Sequence, residues 1–222
     1  MIIDLNLKNK LVMIIGCGRE SLKKIEALCN QHCKIILICD KTHNKFPQAI
    51  NKNKDNKIQV IHMKLNDDNI DTIVNYKPFL VMVATNDKCL NEKIIQITKK
   101  IKCYCYAVDD PANSDFGHPA IVNFSNTIQI AISTFGKSPL VSKHIKLTTR
   151  KIFNQVIKND DIYKIKLQQI ARRTIKKMFS SPRQRKKILY KIWNDITISK
   201  LINDGKFSEA KIETIKMLND LK

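Results

Sequence analysis

The sequence predicts an α/β protein with a doubly wound parallel sheet, followed by a small β segment and a helical carboxy-terminal domain. Three observations support this prediction. Short apolar runs alternate with helical patterns in the first half of the chain, the first run ends in a glycine-rich turn, and the final third is helical in pattern. Strands that alternate with helices are typical of parallel sheets. We therefore predict domains over residues 1–113, 114–147 and 148–222.

The first crossover of this sheet lies near the amino terminus. The apolar run Leu11–Ile15 ends in glycine, which is typical of a buried parallel strand. A stripe of apolar residues between Arg19 and Gln31 predicts a helix, and the run Lys34–Cys39 predicts a second strand. A strand, a helix and a strand within about thirty residues match the size of one βαβ unit.

The later elements continue the alternation. Further strands are predicted at Ile58–Met63, Phe79–Thr85 and Cys103–Val108, and "NEKIIQITKKI" predicts a helix before the last of them. Two strand-like runs, "AIVNF" and "TIQIAIS", then predict a hairpin. From Ser138 the pattern is helical, and "SSPRQRKK" predicts the start of a helix with a serine cap and an early proline.

Charge is concentrated in the last part of the chain. The 222 residues carry a formal net charge of +20. Up to Ser142 there are 19 basic and 13 acidic residues, whereas from Lys143 onward there are 21 and 7. Such a surface attracts polyanions, namely nucleic acid, acidic membrane or a small substrate with many carboxylates. A compositional bias of the source organism would give the same charge. Charge alone therefore does not decide between these partners and such a bias.

Membrane and secreted classes are disfavoured. The apolar runs are too short to span a bilayer, and "MIIDLNLKNK" lacks the basic start and long apolar stretch of a signal peptide. We therefore predict a cytoplasmic protein.

The seven cysteines include no CxxC pair. Cys29 and Cys33 are separated by three residues, and Cys103 and Cys105 by one. Free cysteine is among the most buried residue types. We predict reduced thiols in a core and no metal site.

The turn between the first strand and the first helix is typical of a pyrophosphate site in a Rossmann-like domain. Backbone N–H groups at a helix start bind phosphate when no side chain obstructs it. Gly16 supplies a tight turn, and Gly18 allows close backbone approach. Ser21 occupies the third glycine position, which governs helix packing and tolerates a small residue. Glu20 would repel a nearby phosphate unless its side chain points at the ribose.

The second strand ends at a candidate ribose ligand. Asp40 lies 22 residues after Gly18 and suits an acceptor for a ribose hydroxyl. This favours NAD as the cofactor, although the neighbouring Lys41 would tolerate the additional phosphate of NADP.

Polar residues follow three of the predicted strands, and the carboxyl ends of parallel strands meet at one edge of a sheet. These residues are Gly16–Arg19, Thr85–Asp87, and Asp109 with Asp110. Adjacent residues at a strand end point in opposite directions, so the two aspartates do not serve one site equally. One of them is a candidate general base. The alternative interpretation is that the aspartates only favour a turn before Pro111. In the segment "STFGKSP", hydroxyls and Lys137 precede a helix, which suits carboxylate binding.

Taken together, these stretches resemble the precorrin-2 dehydrogenase family of siroheme biosynthesis. The resemblance begins at "NLKNKLVMIIGCG", continues through "ATNDKCLNEKI", and is strongest from "YAVDDPANSDFGHPAIV" to "IQIAISTFGKSPLVSK". It implies oxidation of precorrin-2 to sirohydrochlorin with transfer of a hydride to NAD. It also implies a homodimer joined through residues 114–143. Precorrin-2 is an octacarboxylate, which gives the basic charge a physical reason.

The resemblance implies roles for individual residues. Asp109 is the implied catalytic carboxylate. Arg19, Glu20, Asp40 and Lys41 join Gly16, Gly18 and Thr85 as cofactor-binding residues, while Ser133, Thr134 and the turn with Lys137 line the substrate side. The sequence departs from the family pattern at Cys17, Glu20, Ser21, Lys23, Phe135 and Lys143. Phe135 stands where the family usually has glycine.

Two alternatives remain. The same carboxylate and cleft would also serve a ferrochelatase that inserts Fe²⁺ into sirohydrochlorin. A non-enzymatic nucleotide-binding module is the other alternative, with the basic clusters Arg172–Arg173 and Arg183–Lys187 binding nucleic acid. Nucleic acid is the less favoured partner, because the tail lacks a helix-turn-helix signature and is poor in aromatic residues for stacking.

Overall fold

The structure, a computed structural model, describes residues 2–28, 31–41 and 57–221. It consists of two compact units, Met1–His118 and Pro119–Lys222. The first unit contains the parallel sheet, and the second contains a β-hairpin and a set of helices. The boundary lies after His118, and the predicted division of the remainder at residue 147 stays a prediction.

The first unit is built on a five-stranded parallel sheet with the order β3-β2-β1-β4-β5. The strands are β1 (Leu11–Ile15), β2 (Lys34–Cys39), β3 (Lys57–His62), β4 (Leu80–Val83) and β5 (Tyr104–Ala107). From β1 the chain first adds strands on one side, then returns to add β4 and β5 on the other. This reversal confirms the doubly wound sheet, and sheets of this kind bind ligands beyond the carboxyl ends of the strands at the reversal, here β1 and β4.

Helices cover both faces of this sheet. They are α1 (Arg19–Ala27), α2 (Thr72–Tyr76) and α3 (Lys88–Lys100). Alternate β1 residues contribute to two separate apolar clusters, one with Ile25 of α1 and the other with Ile94 of α3. Because both faces are covered, nearly every residue of β1 and β2 is buried, as the continuous apolar runs predict.

The helix boundaries differ from the prediction at two places. The helix predicted from Arg19 to Gln31 ends at Ala27. The helix predicted to begin at Asn91 begins at Lys88, because the Asp87 carboxylate accepts a hydrogen bond from the Leu90 N–H at 3.0 Å and caps the helix. The five-residue α2 has no counterpart in the prediction.

The second unit begins with the predicted hairpin. Strands β6 (Ala120–Phe124) and β7 (Ile128–Ile132) pair antiparallel. Ser125 and Asn126 have φ values of 50° and 52° in the turn between them. Two consecutive left-handed residues are typical of a type I′ turn, which matches the twist of a hairpin.

The rest of the second unit is helical, as predicted. The helices are α4 (Pro139–Val156), α5 (Asn159–Met178), α6 (Pro182–Trp193), α7 (Ile196–Asn203) and α8 (Phe207–Asn219). Ser181 caps α6 and Pro182 opens it, which confirms the predicted start. Helices α5 to α8 share an apolar core centred on Leu167, Ile192 and Ile202. By contrast, none of the 18 residues of α4 is buried.

The cysteines divide by burial. Of those in the described ranges, Cys33, Cys39, Cys103 and Cys105 are buried, Cys17 is partly exposed and Cys89 is exposed, and none of these six forms a disulfide. The prediction of core thiols is thus confirmed for four residues and wrong for Cys89, while Cys29 lies outside the described residues. Within the described ranges, no group of three potential metal ligands is found, and no helix is long and apolar enough to cross a membrane.

Candidate functional site

The turn after β1 requires glycine at its first position. Gly16 has a φ of +105°, and a Cβ atom at this position would lie 2.3 Å from the carbonyl oxygen of Ala84. Its N–H donates to the carbonyl of Ile38 at 2.9 Å. The turn is therefore held between β2 and the residues that follow β4, which brings Gly16 next to Thr85.

The amino terminus of α1 is open. Gly18 is the N-cap residue, and no side chain caps the helix. A Cβ atom at Gly18 would meet nothing within 4 Å. No described side chain therefore caps the first-turn N–H groups, which leaves them available to a pyrophosphate. The residues present fit a dinucleotide at this end of the sheet.

The charge of Glu20 is offset within α1. Its carboxylate forms an ion pair with Lys23, one turn along the helix. Both side chains are substantially exposed, at 41% for Glu20 and 63% for Lys23. This pairing reduces the repulsion that Glu20 would exert on a phosphate. Arg19 is the first residue of α1 and is exposed.

Ser21 faces inward from α1. It is fully buried, and its hydroxyl oxygen has no hydrogen-bond partner among the described residues. This environment agrees with the expectation that the third glycine position governs packing of the helix on the sheet.

Lys24 is a buried cation behind the same turn. The residue is only 6% exposed, and its Nζ lies 4.6 Å from the ring centroid of Tyr106. Burial is the main cause that lowers the pKa of Lys24, against the attraction of Glu20. The ring of Tyr106 stacks on Phe116 at 5.5 Å.

The loop after β2 is tied to the glycine-rich turn. Asp40 follows the last residue of β2, and both Asp40 and Lys41 are exposed. The Cys17 thiol donates a hydrogen bond to the carbonyl of Lys41. The predicted ribose ligands therefore lie beside the predicted pyrophosphate turn.

A hydrogen-bonded group links β4 to β5 beyond their carboxyl ends. Asn91 of α3 donates from Nδ2 to the carbonyl of Thr85 at 3.2 Å and to Oδ2 of Asp109 at 3.0 Å. Its Oδ1 accepts a hydrogen bond from the Thr85 hydroxyl. Asn91 is 2% exposed, whereas Asp109 is exposed. A buried amide therefore holds one oxygen of an accessible carboxylate.

Asn91 was not among the predicted site residues. A signal for it exists in the sequence, because Asn91 begins the buried stripe of α3 that continues through Ile94, Ile95 and Thr98. A polar residue on an otherwise apolar face indicates a specific hydrogen-bonding role.

The two consecutive aspartates have different environments. The Asp110 carboxylate accepts hydrogen bonds from the Asn113 amide side chain at 2.8 Å and from its backbone N–H at 3.2 Å. These bonds lower the pKa of Asp110. Asp110 stabilises the turn, whereas Asp109 contacts Asn91, so the two carboxylates have different hydrogen-bond partners.

The predicted substrate residues lie together in the second unit, between β7 and α4. The Thr134 hydroxyl lies 2.9 Å from that of Ser142 and accepts the Ser138 N–H at 3.2 Å. The Ser133 hydroxyl accepts the Phe135 N–H at 3.1 Å. These bonds order the turn that precedes α4, and the backbone N–H of Lys137 closes it by donating to the carbonyl of Thr134 at 3.0 Å.

Phe135 has an unusual conformation within this turn. Its φ is +54°, in the left-handed region, and its side chain is 82% exposed. A left-handed conformation costs an L-residue about 1–2 kcal/mol. A glycine would adopt this backbone conformation without that cost.

Comparison with known families decides the class of the first unit. A family model described as putative NAD(P)-binding matches residues 3–120, more than half of the chain. The chain belongs to this NAD(P)-binding family. The matched region contains the glycine-rich turn, the loop after β2 and the Asp109 group, whereas the hydroxyls of the second unit lie beyond it.

Individual relatives of this NAD(P)-binding protein extend the comparison. The chain is 30% identical over 214 residues to the siroheme synthase of Buchnera aphidicola subsp. Acyrthosiphon pisum, covering 96% of this chain and 42% of that protein. It is 28% identical over 140 residues to the siroheme synthase of Pseudoalteromonas translucida, covering 63% and 28%. The chain thus spans less than half the length of these relatives.

One solved structure shares the fold. The structure of SirC, precorrin-2 dehydrogenase, matches with a TM-score of 0.62 and 18% identity, covering 97% of this chain and 99% of that one. At this identity the match shows a common fold.

Proposed function

We propose that the protein is an NAD-dependent precorrin-2 dehydrogenase that produces sirohydrochlorin for siroheme biosynthesis. One observation carries this proposal. An open nucleotide turn and an accessible, amide-held carboxylate lie at the same edge of one sheet, linked through Thr85. The similarity to siroheme synthases along 96% of the chain supports the pathway, and the fold shared with SirC supports the reaction.

The cofactor site uses the first unit. NAD, when bound, accepts a hydride from the substrate. The open N–H groups of α1 bind its pyrophosphate, with Gly18 leaving the space clear. Asp40 accepts hydrogen bonds from ribose hydroxyls, and Arg19 and Lys41 contribute positive charge beside the phosphates.

Asp109 takes up the proton that leaves the substrate when the hydride departs. Its accessible carboxylate suits a general base, and the Asn91 amide keeps one oxygen fixed so that the other faces outward. Asp110 is unsuited to this role because Asn113 occupies both of its oxygens.

The substrate, a polycarboxylate, is attracted by the basic surface, and Ser133, Thr134 and Lys137 bind its carboxylates. We expect a cytoplasmic homodimer joined through the predicted segment 114–147. The exposed apolar side chains of α4, such as Leu140 at 77% and Leu147 at 52%, support such an interface.

The test is an anaerobic assay in which precorrin-2 is generated in situ, NAD is added and the absorbance of sirohydrochlorin is followed. The wild-type protein should form product only with NAD. Asp109→Asn should reduce turnover by about 100-fold or more, the usual range for losing a general base. Addition of Fe²⁺ after the oxidation then measures the chelatase alternative.

Asp110→Asn is the matched control, since it changes the neighbouring carboxylate by the same atoms. It should retain near wild-type turnover. Equal turnover in both variants would remove Asp109 from the mechanism, and NAD binding without any product would indicate a different substrate.

A further inference from the structure

Two cysteines lie side by side at the cofactor turn. The hydrogen bond from the Gly16 N–H to the Ile38 carbonyl, at 2.9 Å, sets the end of β1 beside the end of β2. The residues that follow are Cys17 and Cys39. Both pack against the same apolar cluster, and the nearby Cys17 thiol is one of the causes that raise the pKa of Cys39.

The two thiols differ in their exposure to solvent. Cys17 is partly exposed in the turn, next to the open amino terminus of α1. Cys39 is only 3% exposed. Burial, together with the contact to Cys17, raises the pKa of Cys39 to about 12. A solvent-borne oxidant therefore meets Cys17 first, and Cys39 is the thiol placed behind it.

We propose that Cys17 and Cys39 form a redox modification site, at which oxidation by a hydroperoxide closes a disulfide and weakens cofactor binding. The regulatory part of this proposal rests on the proposed function. Related reversible oxidations occur where an accessible thiol lies next to a second one.

The reaction has two balanced steps. The sulfur of Cys17 attacks the peroxide, and an S–O bond forms as the O–O bond breaks. The thiol proton goes to the departing oxygen, which leaves a sulfenic acid on Cys17 and releases an alcohol, or water when the oxidant is hydrogen peroxide. The sulfur of Cys39 then attacks the Cys17 sulfur. The S–S bond forms as the S–O bond breaks, and the hydroxyl leaves as water with the Cys39 proton.

The geometry explains why this bond disfavours a bound dinucleotide. A disulfide draws its two sulfurs to about 2.05 Å, so Cys17 must give up its hydrogen bond to the Lys41 carbonyl. Gly16 has no room to follow, because it is packed on the backbone of Ala84. The displacement is therefore taken up by Gly18 and the first turn of α1, where the pyrophosphate binds.

The experiment compares the full chain before and after treatment with hydrogen peroxide, and again after dithiothreitol. Calorimetry measures the affinity for NAD, and peptide mass spectrometry identifies the linked residues. We expect a Cys17–Cys39 peptide that has lost two hydrogens. Oxidation should weaken NAD binding by about tenfold or more, and dithiothreitol should restore it.

Three variants sharpen the test. For both Cys17→Ser and Cys39→Ala, the NAD affinity should be the same before and after peroxide. If one variant fails to fold, the other still tests the proposal. Cys89→Ser, which removes an exposed thiol on α3, should respond as the wild type does.

Two outcomes would overturn the proposal. One is that peroxide consumes thiols without linking Cys17 to Cys39, and the other is that the linked protein binds NAD as the reduced protein does. A reduced protein that binds no NAD would instead contradict the proposed function, and the peptide mapping would still decide whether the two thiols pair.

Discussion

Gly16 and Gly18 lie two residues apart in one turn, yet their surroundings predict opposite effects of the same substitution. Gly16→Ala should lower the free energy of unfolding by about 2 kcal/mol or more, because the left-handed conformation is costly for alanine and its Cβ would meet Ala84. Gly18→Ala should change stability by less than about 1 kcal/mol but weaken NAD binding, since its methyl group enters the open space.

Urea denaturation and calorimetric titration with NAD separate these two effects, and each variant is the control for the other. A similar loss of stability in both would show that the turn is a structural unit rather than a binding site.

The buried ammonium of Lys24 predicts a pH dependence of stability. Because burial lowers its pKa in the folded protein, the protonated lysine disfavours folding at neutral pH. This penalty decreases as the pH rises towards the ordinary pKa of lysine. Lys24→Met should therefore be more stable than the wild type at pH 7. The difference in urea midpoint between the two proteins, the stability gap, should narrow as the pH rises.

Urea midpoints from pH 7 to about 9.5 would measure this gap, staying below the range in which tyrosine ionises. Lys23→Met, which removes an exposed lysine from the same helix, should show almost no change. A gap for Lys24→Met that stays constant with pH would mean that lost packing or the Tyr106 contact dominates.

At the scale of elements, α3 connects the sheet to the candidate base. Asn91→Ala should lower kcat more than tenfold, because Asp109 loses the amide that orients it, and should leave the KM for NAD nearly unchanged. Asn91 acts through another residue, so it is a positioning residue.

Thr98→Ala is the matched control on the same helix. Thr98 is also fully buried, and its hydroxyl donates to the Ile95 carbonyl at 2.8 Å. Both variants should lower the free energy of unfolding by about 1–3 kcal/mol, but only Asn91→Ala should affect kcat. An equal effect on kcat would reduce the role of Asn91 to packing.

The elements that the sequence predicted well have strong local signals. The strands Leu11–Ile15 and Lys34–Cys39 are bounded by a glycine and an aspartate, and both faces of each are buried, so apolar runs coincide with strands. The start of α3 depends on the Asp87 cap, which apolar periodicity does not reveal. The five-residue α2 is too short for a periodic pattern.

The residues of the candidate site likewise include some that local sequence signals predict and others that only the fold reveals. Gly16 and Gly18 are visible in the sequence, since backbone geometry restricts the residue type. Asn91 was missed because its role depends on Thr85 and Asp109, six and eighteen residues away, which only the folded sheet brings to it. Spacing alone did not distinguish Asp109 from Asp110; the family resemblance implied Asp109, and the different hydrogen-bond partners of the two carboxylates support that prediction.

At the scale of the whole molecule, α4 is the basis for the expected dimer. Leu147→Asp places a charge among the exposed apolar side chains of α4 and should shift the protein from dimer to monomer. Light scattering with size-exclusion chromatography would measure the mass. Ile212→Asp on α8, at an even more exposed apolar position (66% against 52%), should leave the mass unchanged. A monomeric wild type would contradict the expected dimer.

The exposure of α4 also has a consequence for the order of events in folding. An isolated helix of this length is marginal in water, and α4 contributes no buried side chain to its own unit. The parallel sheet closes its core within a single chain, whereas in the proposed dimer α4 would gain its full packing only when a second chain arrives. Refolding should therefore show a first phase that is independent of protein concentration and a later phase whose rate increases with it.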